Sequence, residues 1–91
     1  MFVIVIYDIS DSKRRTKMFK AMKNFGTPIQ FSAFECILNE NGFREIQEVI
    51  RKIIHRDKDK VRLYLLCNHC RNTITNIGTG QITKERAIII V

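Results

Sequence analysis

The amino-terminal stretch Met1–Asp8 constrains the fold of this chain more than any other. Its apolar and aromatic run, Phe2 to Tyr7, ends at a single carboxylate, Asp8. A short run rich in β-branched residues that ends at an acid is typical of a buried strand. Asp8 then lies where the strand leaves the core, and an acid on a rigid strand end can hold a metal ion or a proton at a fixed point. The pattern equally fits a plain turn over residues 8–11, because aspartate and serine are common turn formers.

The length and composition indicate one small domain. The chain has 91 residues, which predicts a single domain over 1–91. A domain of this size buries a limited core, so a dimer interface can supply the rest. No stretch is long enough to cross a membrane, and the first apolar run lacks the basic start of a secretory signal. The cysteines are few and odd in number, which suits a reducing cytoplasm; they are Cys36, Cys67 and Cys70.

Positive charge predicts a polyanionic partner, nucleic acid first. The net charge is +7 and the pI is about 9.7. A first basic cluster contains no acid and consists of Lys13, Arg14, Arg15, Lys17, Lys20 and Lys23. A second cluster also contains Asp57 and Asp59, and its cations are Arg51, Lys52, Arg56, Lys58, Lys60 and Arg62. Because those acids partly neutralise the second cluster, the first is the better phosphate-binding candidate, with a solvated helix face as the alternative.

Two amphipathic helices are predicted. Residues 10–12 offer N-cap oxygens for a helix over Lys13–Phe25, and Gly26 is placed to end it. Its apolar face consists of Met18, Met22 and Phe25. The second helix covers about Phe43–His55, and its apolar stripe consists of Phe43, Ile46, Ile50 and Ile53. His55 fits the end of this helix better than a metal site, because cations suit a helix C-terminus.

The remaining segments read as strands. Pro28 opens a segment that alternates from Ile29 to Leu38, and a turn follows at residues 39–42. Three further extended segments are predicted, and these are Val61–Asn68, the weaker Asn72–Ile77 and the apolar Ala87–Val91. The order of elements is therefore strand, helix, strand, strand, helix, strand. This is the α+β, ferredoxin-like βαββαβ pattern, with an extra strand at the C-terminus.

Two helices can cover only one face of such a sheet, yet the first strand is apolar on both faces. A monomer rarely leaves an apolar patch that large in water. We therefore expect a second sheet to cover the open face, most simply a second copy about a two-fold axis. The C-terminal segment, about 72–91, is expected to be exchanged with the partner subunit or packed on it, with Ala87–Val91 pairing at the partner's sheet edge.

A two-fold dimer changes what Asp8 can do. One carboxylate per subunit is a poor metal site, but two brought together across the axis can hold one Mg²⁺ with water in the other positions. Such an ion activates a water and neutralises a scissile phosphate. Lys13, Arg14 and Arg15 then bind the flanking phosphates. The pair Cys67 and Cys70 is only half of an ordinary zinc site, which argues against zinc although a symmetric dimer could supply the second pair.

Several of these segments resemble one known family. The motifs are Tyr7-Asp8-Ile9-Ser10-Asp11, Lys13-Arg14-Arg15-Thr16-Lys17, Gly26-Thr27, Gln30-Phe31-Ser32-Ala33-Phe34-Glu35-Cys36, Val61-Arg62-Leu63-Tyr64 and Gly78-Thr79-Gly80. Together they resemble the small CRISPR-associated endonuclease of the spacer-adaptation module, over nearly the whole chain. The resemblance implies a ferredoxin-like homodimer with swapped C-terminal strands. It also implies a Mg²⁺-dependent nuclease acting on RNA or double-stranded DNA, which bridges two dimers of the larger CRISPR integrase.

The resemblance assigns site residues by position. Asp8 matches the metal-binding acid and Tyr7 its strand-end partner, Arg15 matches a helix arginine, and Ser32 and Phe34 match the second-strand motif. Lys13, Arg14 and Lys17 join Arg15 as candidate nucleic-acid contacts. Pro28 stands where many relatives have arginine, which removes one expected phosphate contact. Two functions stay open: a metal-dependent phosphodiesterase, and a non-catalytic adaptor that binds DNA through its backbone. A basic dimer in an unrelated nucleic-acid process is a third reading.

Overall fold

A computed structural model describes residues 1–30 and 32–67, together with Thr73, Thr75 and Ile77. The elements, in chain order, are β1 (Phe2–Asp8), α1 (Ser12–Met22), β2 (Gly26–Gln30), β3 (Ala33–Ile37), α2 (Glu40–Ile53) and β4 (Lys60–Leu66). The four strands form one antiparallel sheet in the order β2-β3-β1-β4. This arrangement confirms the predicted ferredoxin-like order. The predicted strands over Asn72–Ile77 and Ala87–Val91 lie outside the continuously described residues.

Side-chain caps set the starts of both helices, and both helices end earlier than predicted. Asp11 caps α1, since its Oδ2 accepts a hydrogen bond from the Arg14 amide at 2.9 Å. That helix ends at Met22, and Gly26 begins β2 instead of ending the helix. Asn39 caps α2 in the same way, and the predicted turn over residues 39–42 is therefore the cap and first turn of the helix. The helix ends at Ile53, so His55 lies beyond it.

The alternating stretch from Ile29 onward is divided between two strands. β2 ends at Gln30 and β3 begins at Ala33, and the register shifts between Pro28 and Gln30. Gly26 lies opposite Cys36 in this hairpin. The last described strand, β4, ends at Leu66, so Cys67 lies beyond the strand although the prediction included it, and Asn68 lies outside the described residues.

The core lies between the helices and one face of the sheet. The two predicted apolar helix faces are confirmed, because Met18, Met22 and Ile46 are fully buried and Ile50 and Ile53 nearly so. From the sheet, the fully buried side chains are Val3, Val5, Phe34 and Cys36. None of the described helices is long and apolar enough to span a membrane.

The opposite face of the sheet is called the open face here and carries Ile4, Ile6, Asp8, Lys60, Arg62 and Tyr64. On it, 43% of Ile6 and 44% of Tyr64 are exposed, while Phe2 and Ile37 near the other end are buried. The two helices thus cover one face only, as predicted. A second sheet over the open face stays a prediction.

Candidate metal and nucleic-acid site

One end of the sheet brings together most of the residues predicted from the sequence. β1 ends there with Tyr7 and Asp8, and α1 begins a few residues later. The turn between β2 and β3 is adjacent, because the Tyr7 amide donates a hydrogen bond to the Ser32 carbonyl oxygen at 3.0 Å. β4 begins at the same end, with Lys60 directly opposite Asp8. Four separate parts of the chain therefore meet around one strand end.

The carboxylate of Asp8 is exposed. Along β1, burial alternates, so that Tyr7 is buried and Asp8 is exposed on the open face. The Asp8 side chain makes no hydrogen bond or ion pair with any part of the chain that the structure describes. Its position is nevertheless fixed, because β1 is paired on both sides along most of its length. A fixed carboxylate with free oxygens suits a hard cation such as Mg²⁺.

Tyr7 and Phe34 lie on the other side of the sheet. The Tyr7 ring is 2% exposed and stacks on Phe34 with 6.4 Å between ring centroids. Phe34 is fully buried and also makes an edge contact with Phe19, with centroids 5.2 Å apart. Burial raises the pKa of the Tyr7 hydroxyl. Successive strand residues project from opposite faces of the sheet. The two rings therefore hold β1 from the helix-covered face, whereas the Asp8 side chain lies on the open face.

Arg15 fastens the loop that follows Asp8. Its Nη1 atom donates hydrogen bonds to the carbonyl oxygens of Ile9, at 3.0 Å, and Ser10, at 3.3 Å. These bonds hold the first turn of α1 against the end of β1. A guanidinium has five N–H donors, so Arg15 retains donors for a phosphate as well. The predicted helix arginine is therefore close to Asp8 in the structure and has a positioning role there.

Arg14 is engaged elsewhere. Its Nε and Nη2 atoms donate to the two carboxylate oxygens of Asp59 at 2.8 and 3.1 Å, a bidentate pair. The Asp59 carboxylate has no exposed surface and also accepts a hydrogen bond from the His55 amide at 2.8 Å. The sequence predicts that Asp59 neutralises cations of the second cluster. In the structure, Asp59 instead neutralises Arg14, a cation of the first cluster. Lys13 and Lys17 remain exposed, so the geometry favours them over Arg14 as phosphate contacts.

We expect Asp59→Asn to lower the thermal midpoint at neutral pH more than Asp57→Asn, which removes the same charge from an exposed position. The hydrogen bonds from Arg14 hold the pKa of the Asp59 carboxyl below its usual range. A lowered folded-state pKa stabilises the protein above the unfolded-state pKa, and this stabilisation is lost as the pH falls through the folded value. The gap between wild type and Asp59→Asn should therefore narrow below about pH 4. Equal midpoints for the two variants at pH 7 would contradict the ion pair.

The described residues contain no group of three histidine, cysteine or acidic side chains that would hold a metal within one subunit. Asp8 alone supplies one ligand, which fits Mg²⁺ only with water or a second subunit completing the shell. Cys36 is unsuited to metal binding, because burial raises the pKa of its thiol to about 12. Cys67 is exposed, and Cys70 lies outside the described residues.

Sequence reasoning missed Lys60, which it had assigned to the less favoured cluster. The predicted ferredoxin-like topology could have identified Lys60. In a ferredoxin-like sheet, β1 and β4 are antiparallel neighbours, so the end of β1 meets the start of β4. The first charged residue of β4 is then expected beside Asp8.

The chain is similar to known proteins over most of its length. The model of a family described as CRISPR associated protein Cas2 matches residues 1–74. The chain is 38% identical over 92 residues to the CRISPR-associated endoribonuclease Cas2 3 of Synechocystis sp., with 100% of both chains covered. It is 32% identical over 83 residues to the CRISPR-associated endonuclease Cas2 of Halalkalibacterium halodurans, with 86% of each covered. The crystal structure of Streptococcus pyogenes Cas2 matches with a TM-score of 0.75 and 29% identity, over 86% of this chain and 100% of that one.

Proposed function

The chain belongs to the CRISPR associated protein Cas2 family, and on that premise we propose that it is a Mg²⁺-dependent endonuclease of CRISPR spacer acquisition. It hydrolyses phosphodiester bonds in single-stranded RNA or double-stranded DNA. The relatives named endoribonuclease and endonuclease support the reaction class. The observation that carries the proposal is the exposed Asp8 carboxylate, which has no protein partner among the described residues and stands at the end of a central strand. The proposed location of this activity is the cytoplasm.

Two subunits complete the site in this proposal. A single Asp8 is too few ligands for a stable ion, and two related by a two-fold axis supply a second carboxylate. The apolar side chains of Ile6 and Tyr64 on the open face support a sheet-to-sheet homodimer, because both are more than two-fifths exposed in the single subunit. Exchange of the segment at about 72–91 between subunits belongs to the same proposal.

Each residue then has a separate task. Asp8 would hold the Mg²⁺, and the bound ion would supply an activated water and offset the charge of the scissile phosphate. Arg15 holds the loop after Asp8 through the carbonyl groups of Ile9 and Ser10. The Ser32 carbonyl fixes the backbone of Tyr7, and the stacked rings of Tyr7 and Phe34 hold β1 from the helix side. These residues position the acid, and Lys13 and Lys17 bind flanking phosphates.

The test is cleavage of labelled single-stranded RNA and double-stranded DNA by the purified protein. Activity is measured with Mg²⁺, with EDTA, and after Mg²⁺ is added back in excess. We expect cleavage of at least one substrate that stops with EDTA and returns with the ion. The Asp8→Ala protein, purified in the same way, is the control for contaminating nucleases. Cleavage that persists in EDTA, or absence of cleavage with every substrate, would contradict the proposed activity.

A second function rests on a separate observation, the exposed lysines of the first basic cluster. In this proposal the homodimer bridges two dimers of the CRISPR integrase and holds the DNA to be inserted by backbone contacts. The two functions are compatible, because α1 and the strand-end carboxylate occupy adjacent surfaces.

The bridging function predicts binding that weakens steeply with salt and does not need Asp8. Replacing both Lys13 and Lys17 with glutamine should reduce the slope of log K against log salt by about 2, because each lost phosphate contact removes roughly 0.9. Binding of labelled duplex DNA across a salt series measures the slope. The double variant Lys52→Gln, Lys58→Gln removes the same charge from the second cluster, and an equal loss in both variants would indicate that net charge alone governs binding.

A further inference from the structure

The register of the sheet places Lys60 directly across from Asp8. In the β1–β4 ladder, Asp8 lies opposite Lys60, Ile6 opposite Arg62, and Ile4 opposite Tyr64. Residues directly opposite in an antiparallel pair project from the same face, with Cβ atoms about 4.5 to 5.5 Å apart. Both partners of the first pair are exposed. The Asp8 carboxylate and the Lys60 ammonium therefore share one small surface at the end of the sheet.

No described residue forms an ion pair with Lys60. The acid that precedes it, Asp59, is buried and committed to Arg14 and to the His55 amide. Lys60 itself makes no side-chain hydrogen bond or ion pair within the described part of the chain. The next cation on the open face, Arg62, differs, because its Nη1 atom donates to the Tyr64 hydroxyl at 3.3 Å.

The backbone of Lys60 is also held in place. Asp59 anchors it from one side through the bidentate pair with Arg14. On the other side, β4 is paired with β1 in continuous register from Lys60 to Leu66. The Lys60 side chain can therefore move while its backbone position stays fixed. A phosphate contact beside a metal site requires such a fixed position.

We propose that Lys60 binds the scissile phosphodiester at the Asp8 site. This inference rests on the proposed nuclease function and names the residue that receives the substrate. Asp8 would hold the metal, and the Lys60 ammonium contacts a non-bridging oxygen of the same phosphate. Charge on those oxygens grows as the water adds, so a fixed cation there stabilises the transition state more than the ground state. In this proposal Lys60 acts through its charge and transfers no proton.

The test compares four variants on the substrate that the wild type cleaves: Lys60→Gln, Lys60→Arg, Lys58→Gln and Asp8→Ala. Lys58 is an exposed lysine two residues earlier, so its replacement removes the same charge from the same region. We expect Lys60→Gln to lower kcat/KM by about 10²-fold at saturating Mg²⁺, mainly through kcat. Lys60→Arg should restore most of the activity, and Lys58→Gln should stay within about 3-fold of wild type. Thermal midpoints of the lysine variants should match wild type.

The outcomes separate this inference from the proposed function. If Asp8→Ala is inactive while Lys60→Gln is as active as Lys58→Gln, the phosphate contact is wrong and the nuclease stands. If Lys60→Gln needs less Mg²⁺ and cleaves as fast as wild type, the lysine is only a counter-ion of Asp8, which also overturns the inference. If Asp8→Ala keeps full activity, or if the wild type cleaves nothing, the proposed function fails and the inference fails with it.

Discussion

Replacing Asp8 with alanine is expected to lower Mg²⁺-dependent cleavage by about 10³-fold or more and to leave the protein folded. The loss is large because the substitution removes the one oxygen ligand that the strand end offers. The fold should persist because the side chain is exposed and has no partner among the described residues. In the proposed dimer the substitution would remove both carboxylates at once. The measurement is the single-turnover cleavage rate across a Mg²⁺ titration, together with circular dichroism and the thermal midpoint.

The matched control for this prediction is Asp57→Ala. Asp57 is also an exposed aspartate, and it lies in the loop before β4. Its replacement changes net charge by the same amount and should leave the cleavage rate within about 3-fold of wild type. An Asp8→Ala protein that cleaves as fast as the Asp57→Ala protein would show that the metal, if used, binds elsewhere. Loss of structure in Asp8→Ala would show instead that the carboxylate is part of a turn.

A methyl group at position 26 is expected to destabilise the domain by about 3 kcal/mol. In the β2–β3 hairpin, a Cβ on Gly26 would overlap the carbonyl oxygen of Glu35 and come within 2.6 Å of the Cys36 Sγ atom. The first obstacle is backbone, and Cys36 is fully buried, so neither can move cheaply. For a domain of this size, Gly26→Ala should lower the thermal midpoint by roughly 12 °C or more.

Thr27→Ala is the control, because Thr27 is the next residue of the same strand and is exposed. It should shift the midpoint by no more than about 3 °C, as expected for a surface strand position. Both variants are compared by urea denaturation and by thermal melting. A Gly26→Ala protein within about 1 kcal/mol of the control would mean that β2 moves away from β3 at little cost, which an edge strand can do more easily than a central one.

Local patterns in the sequence predicted most of the fold. The apolar faces of both helices followed from the 3.6-residue period, and the burial of β1 followed from its continuous apolar run. Element ends were less predictable. The sequence predicts a turn at Asn39, whereas the structure has a helix cap there. The Asn39 side chain accepts a hydrogen bond from the Gly42 amide at 2.7 Å. Asparagine and glycine are common both in turns and at helix caps, so the sequence does not separate the two. Asp8 as the candidate metal ligand also came from the sequence, through its position after an apolar run.

Tertiary structure alone decided which charges are free. From the sequence, Asp59 belongs with Lys58 and Lys60, yet its carboxylate binds Arg14, which is 45 residues away along the chain. That pairing removes Arg14 from the surface offered to phosphates, and it leaves Lys60, opposite Asp8, without an ion pair among the described residues. The reason is physical. Hydrophobic periodicity is set by neighbours along the chain and can be read from them, whereas the partner of a charge is set by strand register and helix packing, which exist only in the folded protein.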